Sequence, residues 1–308
     1  MASADLQTPA FTDENAAREA MEAVMWPHGP CCPRCGSLDR IGKVSGKSAR
    51  AGLYYCGECK RQFTVTVGTI FERSKVPLAK WWLAVHLMAS SKKGMSANQL
   101  HRMLGVAYPT AWFMEHRIRA AMASGDLLPP LGGEGKTVEI DETFIGQKKD
   151  MPKRRGYAHK HAIMTLVERG GPARSFHVSG TAAADLLPII RAHVHSGSHV
   201  MTDEAGQYTH LGKHFAKHEF VTHGTGEYVR GDVHTNTLEG FYVFKRGMKG
   251  IYQHCGENHL HRYVAEFDFR YNARTAIGID GAERAAMIVR GATGKRLMYR
   301  RPDEAGPA

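Results

Sequence analysis

Four of the six cysteines, Cys32, Cys35, Cys56 and Cys59, form two Cys-x-x-Cys pairs with 20 residues between them. Each pair can present two thiolates from one tight turn. Together they complete the tetrahedral sulfur shell of one structural Zn²⁺ ion, whose binding would supply much of the folding free energy of so small a unit. Cys31 and Cys255 are left over. Disulfides would need an oxidising compartment, of which the chain gives no sign. Gly42 to Ser48 imitates a phosphate loop, but it lacks one residue of the Gly-x4-Gly-Lys-Ser spacing and lies between the cysteine pairs, so no nucleotide site is assigned there.

The second chemical signal is a set of acids far apart in the chain, and its meaning depends on the elements that carry them. Pro77 to Met122 reads as three helices. Pro77 suits a first helical position, followed by Trp81, Trp82, Val85 and Met88 at helical spacing. Ser96 caps a short helix through Leu100 and Leu104 that Gly105 stops; Thr110 opens a third, Ala111 to Met122. These last two resemble a helix-turn-helix, in which Arg117 and Arg119 would meet DNA, with an ordinary helical packing element as the alternative. Pro129, Pro130, Gly132, Gly133 and Gly135 then break regular structure. Beyond them, strands are expected at Val138 to Ile145, Ala162 to Val167 and Arg174 to Val178. There follow a helix from Asp185 to Val194, a strand at Val200 to Thr202, a short helix from Ala205 to Leu211, a strand at Phe220 to Thr222, and closing helices. Three strands followed by alternating helices and strands is the order of an RNase H-like α/β domain.

That order would bring Asp141 in the first strand, Asp203 at the end of the fourth and Glu239 at the start of a helix to one point. Carboxylates are the ligands that hard Mg²⁺ (or Mn²⁺) prefers, and three crowded together would take up protons unless cations neutralised them. Two ions about 4 Å apart can activate an attacking oxygen and stabilise a leaving one at phosphorus. Rivals exist among the 30 acids. Glu139 shares a strand face with Asp141, Glu142 points to the opposite face, and Glu204 and Asp232 compete in the later segments. Arg246 lies on the same helical face as Glu239 with Lys245 adjacent, and either would hold a phosphate; His234 would assist proton transfer. Lys148, Lys149, Lys153, Arg154, Arg155 and Lys160 cluster after the first strand, where a hairpin loop would grip a DNA backbone or simply be solvated. Leu260, Tyr263, Val264, Phe267 and Tyr271 form a helical core stripe.

Lysines and arginines number 41, giving a formal charge of +11, so a nucleic-acid phosphate backbone is the favoured partner. The longest uncharged apolar stretch, Trp81 to Ser91, is too short for a bilayer span of about 18 to 20 residues. The first thirty residues carry five acids and no apolar core of a signal peptide, so a cytoplasmic, nucleoid-associated protein is expected.

The chain resembles the DDE transposases of insertion-sequence family 1595, the ISXO-like group. The likeness runs from Trp26-Pro27 and the cysteine pairs through Gly68-Thr69-Ile70-Phe71 and the Ser96 to Met122 segment. Its most specific pieces are Glu139-Ile-Asp-Glu-Thr-Phe-Ile-Gly146, Thr202-Asp-Glu204 with Tyr208, and His234-Thr-Asn-Thr-Leu-Glu-Gly-Phe241, with Glu266-Phe-Asp-Phe-Arg-Tyr-Asn272 as a closing helix. The resemblance implies that Asp141, Asp203 and Glu239 are catalytic acids holding two Mg²⁺ ions, with Asn236 as an accessory residue. It further implies binding to terminal inverted repeats, hydrolysis that frees a 3′-hydroxyl, and joining to target DNA by a homodimer or larger synaptic assembly.

The expected organisation is an N-terminal helix over 1–24, a zinc ribbon over 25–74, a helix-turn-helix-like segment over 75–125, a linker over 126–136, an RNase H-like catalytic domain over 137–280, and a C-terminal tail over 281–308. Two other classes compete: a non-catalytic DNA-binding regulator, which would not need the acid trio, and an RNase H-like nuclease without strand transfer.

Overall fold

The computed structural model describes residues 7–125, 128–149, 151–295 and 297, and divides into two compact units, Met1–Ala123 with Thr275–Ala308, and Ser124–Arg274. In the first unit, α1 (Glu14–Met25) starts at Asp13, whose side chain accepts the Ala16 N–H at 2.7 Å. The cysteine-bearing segment forms a small antiparallel sheet of β1 (Ile41–Lys43), β2 (Tyr54–Cys56) and β3 (Arg61–Phe63). Its core is thin: Cys32, Cys56 and Phe63, with Trp26, Ile41 and Tyr54 against them.

Helices α2 (Leu78–Ser90), α3 (Ala97–Leu104) and α4 (Tyr108–Met122) follow. Ser96 and Gln99 cap α3 reciprocally, and Gly105 ends it in the left-handed conformation at φ 59°, where a side chain would be strained. Two expected starts shift by a little. Pro77 caps α2 from outside its first turn, and α4 begins at Tyr108, before Thr110, because Pro109 in its first turn has its φ preset for a helix and no N–H to leave unpaired.

The segment expected to be a C-terminal tail is corrected here. Gly281–Arg290 forms α9, started by Asp280 accepting the Glu283 N–H, and it packs against α2, α1 and α4. Its buried Ala285, Ile288 and Val289 explain why: an amphipathic stripe needs a partner, and the first unit supplies one. Residues 298–308 of that segment lie outside the described residues.

The second unit is built on a five-stranded sheet in the order β6-β5-β4-β7-β8: β4 (Thr137–Ile145), β5 (His161–Glu168), β6 (Ala173–Val178), β7 (His199–Asp203) and β8 (Lys217–Val221). Strands β4 to β6 are antiparallel, while β7 and β8 run parallel to β4. The expected helix between β6 and β7 is α5 (Ala183–His193), and the short helix after β7 resolves into two single turns, Gly206–Tyr208 and Leu211–Lys213. A two-stranded ribbon, β9 (Val229–Arg230) and β10 (Val233–His234), leads into α6 (Asn236–Phe241), α7 (Val243–Gly247) and α8 (Glu257–Asn272).

Strand alternation divides the core in two. Val138 and Ile140 meet Leu186 and Ile190 of α5 on one face; Ile145, Ile163 and Val167 meet Leu238, Phe241, Phe244 and the stripe Leu260, Tyr263, Val264 and Phe267 on the other. Helix α8 also protects the sheet edge. Asp268 accepts from the Ser175 N–H at 2.8 Å, and one turn on Asn272 accepts from the Ala173 N–H at 2.7 Å, occupying β6 backbone groups that would otherwise template another strand.

Candidate functional site

The β4–β7 register pairs Thr137 with His199, Val138 with Val200 and Glu139 with Met201. Two residues further along both strands come Asp141 and Asp203, so parallel neighbours place both carboxylates at the carboxyl end of β7. Asp141 has its pKa pushed up to about 6, first by burial and then by the negative charge of Asp203. Against these, the Tyr242 hydroxyl donates to Asp141 Oδ2 at 2.7 Å and the Glu142 N–H to Oδ1 at 2.7 Å, both favouring the ionised form. Lys245, whose Nζ sits 5.0 Å from the Tyr242 ring centroid, adds positive charge that acts in the same direction. Asp203 is positioned by its own turn, accepting from the Ala205 N–H at 3.0 Å.

Glu142 faces away from Asp141 by strand alternation, yet the charges of both aspartates reach it. Burial foremost, then these charges, raise its pKa to about 7. Its two oxygens accept from the Tyr208 hydroxyl at 2.5 Å and the Gln207 amide at 3.4 Å.

Glu239 stands in the first turn of α6 and is exposed. What holds that helix is Glu139, fully enclosed beneath it. Glu139 accepts from the Leu238 N–H at 3.0 Å, the Thr237 hydroxyl at 2.9 Å and Arg169 Nε at 2.6 Å. Arg169 in turn donates to the carbonyls of Asp232 and His234, both at 2.8 Å. This carboxylate–guanidinium clasp fixes the turn that presents Glu239. Tyr242 follows Glu239 by three residues, so the two are neighbours on one helical flank, and Tyr242 touches Asp141.

The remaining expected residues divide. Lys245 is beside Asp141, while Arg246 is exposed one position further. His234 Nδ1 lies 3.0 Å from Arg169 and 3.3 Å from the Asn236 N–H, which makes it an acceptor in the clasp; Asn236 opens α6 and is exposed. Lys148, Lys149, Lys153, Arg154 and Arg155 all lie in the β4–β5 hairpin loop, and the last four are exposed.

Arg117 and Arg119 are corrected: neither is a surface arginine. Arg119 is enclosed and pairs with Glu115 at 3.1 Å, and Arg117, 6% exposed, donates to the carbonyls of Glu72 and Leu297. A guanidinium supplies five donors, and in α4 these two serve the interior. The sequence gives no motif for Tyr242; for Arg169 the available signal is an arginine just past the end of β5, next to the strand that carries Glu139.

Among the described residues, two groups of three or more ligand-type side chains have donor atoms all within 4.8 Å of one another, and Asp141, Asp203 and Glu239 are not one of them. The four cysteines are: Cys32 Sγ lies 3.6 Å from Cys59 Sγ, and Cys35 Sγ 3.6 Å from Cys56 Sγ. Tetrahedral Zn–S bonds of about 2.3 Å require sulfur separations of about 3.8 Å, so the four thiols fit a zinc ion.

With this geometry in view, the ISXO2-like transposase domain family matches residues 130–272 and the transposase zinc-ribbon domain family matches residues 12–62. A protein of transposable element ISH50 from Halobacterium salinarum is 31% identical over 277 residues, spanning 84% of this chain and 91% of its own length. The chain belongs to the insertion-sequence 1595 family of DDE transposases. Among solved structures, a chain of the simian T-cell lymphotropic virus intasome in complex with PP2A regulatory subunit B56 gamma is 15% identical over 55% of this chain and 63% of that one, at a TM-score of 0.27, too low to carry an argument. The family matches bracket the two features found above: the ribbon cysteines fall in the zinc-ribbon match, and Asp141, Asp203 and Glu239 in the transposase-domain match. No helix among the described residues is long and apolar enough to cross a membrane.

Proposed function

We propose that this transposase-family protein binds the terminal inverted repeats of its element, hydrolyses phosphodiester bonds there to free 3′-hydroxyls, and joins those ends to target DNA. The observation that carries the reading is the juxtaposition of Asp141 and Asp203 on neighbouring parallel strands. A desolvated Asp141 carboxylate with the negative charge of Asp203 beside it is costly in a fold unless a divalent cation belongs there.

Held by Asp141, Asp203 and Glu239, two Mg²⁺ or Mn²⁺ ions would supply an activated attacking oxygen and stabilise the leaving one. The carboxylates that would hold them come from β4, from the end of β7 and from the first turn of α6. Glu239 is preferred over Glu142 because the oxygens of Glu142 are already engaged by Tyr208 and Gln207. Tyr242 orients Asp141, Lys245 faces the scissile phosphate, the clasp of Glu139 and Arg169 sets the height of α6, and the basic β4–β5 loop grips the backbone. His234 acts within that clasp, and Asn236 and Arg246 border the site.

The antiparallel β4–β5–β6 meander with parallel β7 and β8 added beyond β4 supports an RNase H-like core. In this reading the ribbon and the α3–α4 pair engage the element ends, through side chains other than Arg117 and Arg119. Joining two ends calls for a homodimer or larger synaptic assembly.

The test is incubation of the full chain with Mg²⁺ and end-labelled DNA carrying the inverted repeats that flank its gene. Cleavage with a free 3′-hydroxyl, followed by joining to a plasmid, is the predicted result. Cleavage without joining indicates a plain nuclease, and binding without cleavage a regulator.

A further inference from the structure

A second cluster of donors lies in the second unit and shares no residue with the acids described above. His161 opens β5, His177 stands near the end of β6, and Glu257 is the first residue of α8; one donor atom from each lies within 4.8 Å of the others. The strand register pairs Ile163 with His177, so His161, two residues before Ile163, shares a sheet face with His177 on the diagonal. Their rings meet edge to face with centroids 5.3 Å apart. Glu257 Oε1 approaches from the helix, 3.7 Å from His161 Nδ1 and 4.0 Å from His177 Nε2.

An independent observation points to a ligand. The His161 side chain is only 4% exposed, and its Nδ1, aimed at Glu257, is enclosed and makes no hydrogen bond. A buried ring nitrogen with nothing to accept from or donate to is uncommon in a folded protein. At 3.7 Å the Glu257 carboxylate is too far to satisfy it directly, yet at a separation that a small ion between them would close.

We propose that His161, His177 and Glu257 form a further metal site, which takes one divalent transition ion of the zinc class with water in the fourth position. Zn–N bonds of about 2.0–2.1 Å and Zn–O bonds of about 2.0–2.2 Å set ligand separations near 3.4 Å; the Glu257 distances of 3.7 and 4.0 Å are close to that, and the two ring nitrogens lie within 4.8 Å of each other. Two imidazole nitrogens select this class of ion over Mg²⁺, which belongs to the all-oxygen site. The bound ion ties the start of α8 to the β5–β6 hairpin. The same helix secures the edge of β6 through Asp268 and Asn272.

The experiment counts zinc in the full chain after equilibration with excess Zn²⁺ and desalting, for the wild type, Glu257→Gln and His177→Ala. Each variant is expected to hold about one equivalent less than the wild type, and added Zn²⁺ to raise the thermal midpoint of the wild type by more than that of either variant. Because the readout is a difference, zinc in the ribbon or on the aspartates cancels, and failure of the catalytic reading leaves the result untouched. Glu257 is 56% exposed, so Glu257→Gln keeps the fold. Equal zinc in all three proteins, or a loss in only one variant, overturns the proposal.

Discussion

Arg169 Nε donates to Glu139 Oε1 at 2.6 Å beneath the first turn of α6, and no part of Glu139 reaches solvent. Breaking a buried pair leaves an uncompensated charge, so Arg169→Ala is expected to destabilise the protein by about 3–5 kcal/mol. The exposed Arg40–Glu58 pair at 3.2 Å is the contrast, where Arg40→Ala should cost less than about 1 kcal/mol. Urea unfolding of both variants measures the difference; equal effects would show that the clasp does not hold the unit.

Removing the Tyr242 hydroxyl takes away a donor that favours ionised Asp141. Tyr242→Phe should therefore push Asp141 further up in the metal-free protein and, because protons and Mg²⁺ compete for that carboxylate, move the acidic limb of the pH–rate profile for DNA cleavage to higher pH. An unmoved limb, with only an overall loss of rate, would assign Tyr242 to packing.

Burial also raises Asp268 to about 7, beside Asp141 at about 6 and Glu142 at about 7. The folded state then holds protons that the unfolded state has released between about pH 4 and pH 7. The stability these groups contribute is therefore present in acid and declines as pH rises through that window. Urea midpoints of the metal-free protein across pH 4 to 8 test this: Asp268→Asn should flatten the decline. Mg²⁺ at pH 8 should restore the part due to Asp141 and leave the part due to Asp268, which is committed to Ser175.

Three strands of three residues cannot by themselves supply a stable core. Cys56→Ser, or zinc chelation, should unfold the ribbon and abolish amide-exchange protection at Tyr54–Phe63, since structural zinc contributes about 10–16 kcal/mol to such units. Protection that survives chelation would mean the hydrophobic contacts of Trp26, Tyr54 and Phe63 suffice.

Much of this was legible in residue order. The cysteine spacing, the Ser96 cap, the Gly105 stop and the Leu260-to-Phe267 stripe are local signals, each fixed by neighbours within a turn or two, and the elements formed there. The order of strands placed Asp141 and Asp203 on β4 and β7. What stayed hidden depends on contacts distant in sequence. Arg117 and Arg119 lie on a helix whose every side is used by its own unit, which no helical wheel reveals. Residues 281–290 have a modest amphipathic stripe whose partner, α2, is far earlier in the chain. The grip of Arg169 on Glu139 joins positions 30 residues apart.

The central claim is that Asp141, Asp203 and Glu239 act together on divalent ions, and the most direct measurement is Mg²⁺-dependent cleavage of terminal-repeat DNA by Asp141→Asn, Asp203→Asn, Glu239→Gln and Glu142→Gln. The first three should each lose at least about a thousandfold in rate, the scale of removing one essential charge-stabilising group, while Glu142→Gln retains activity. Cleavage that survives Asp203→Asn, or a Glu142→Gln loss that Glu239→Gln does not share, would contradict the account.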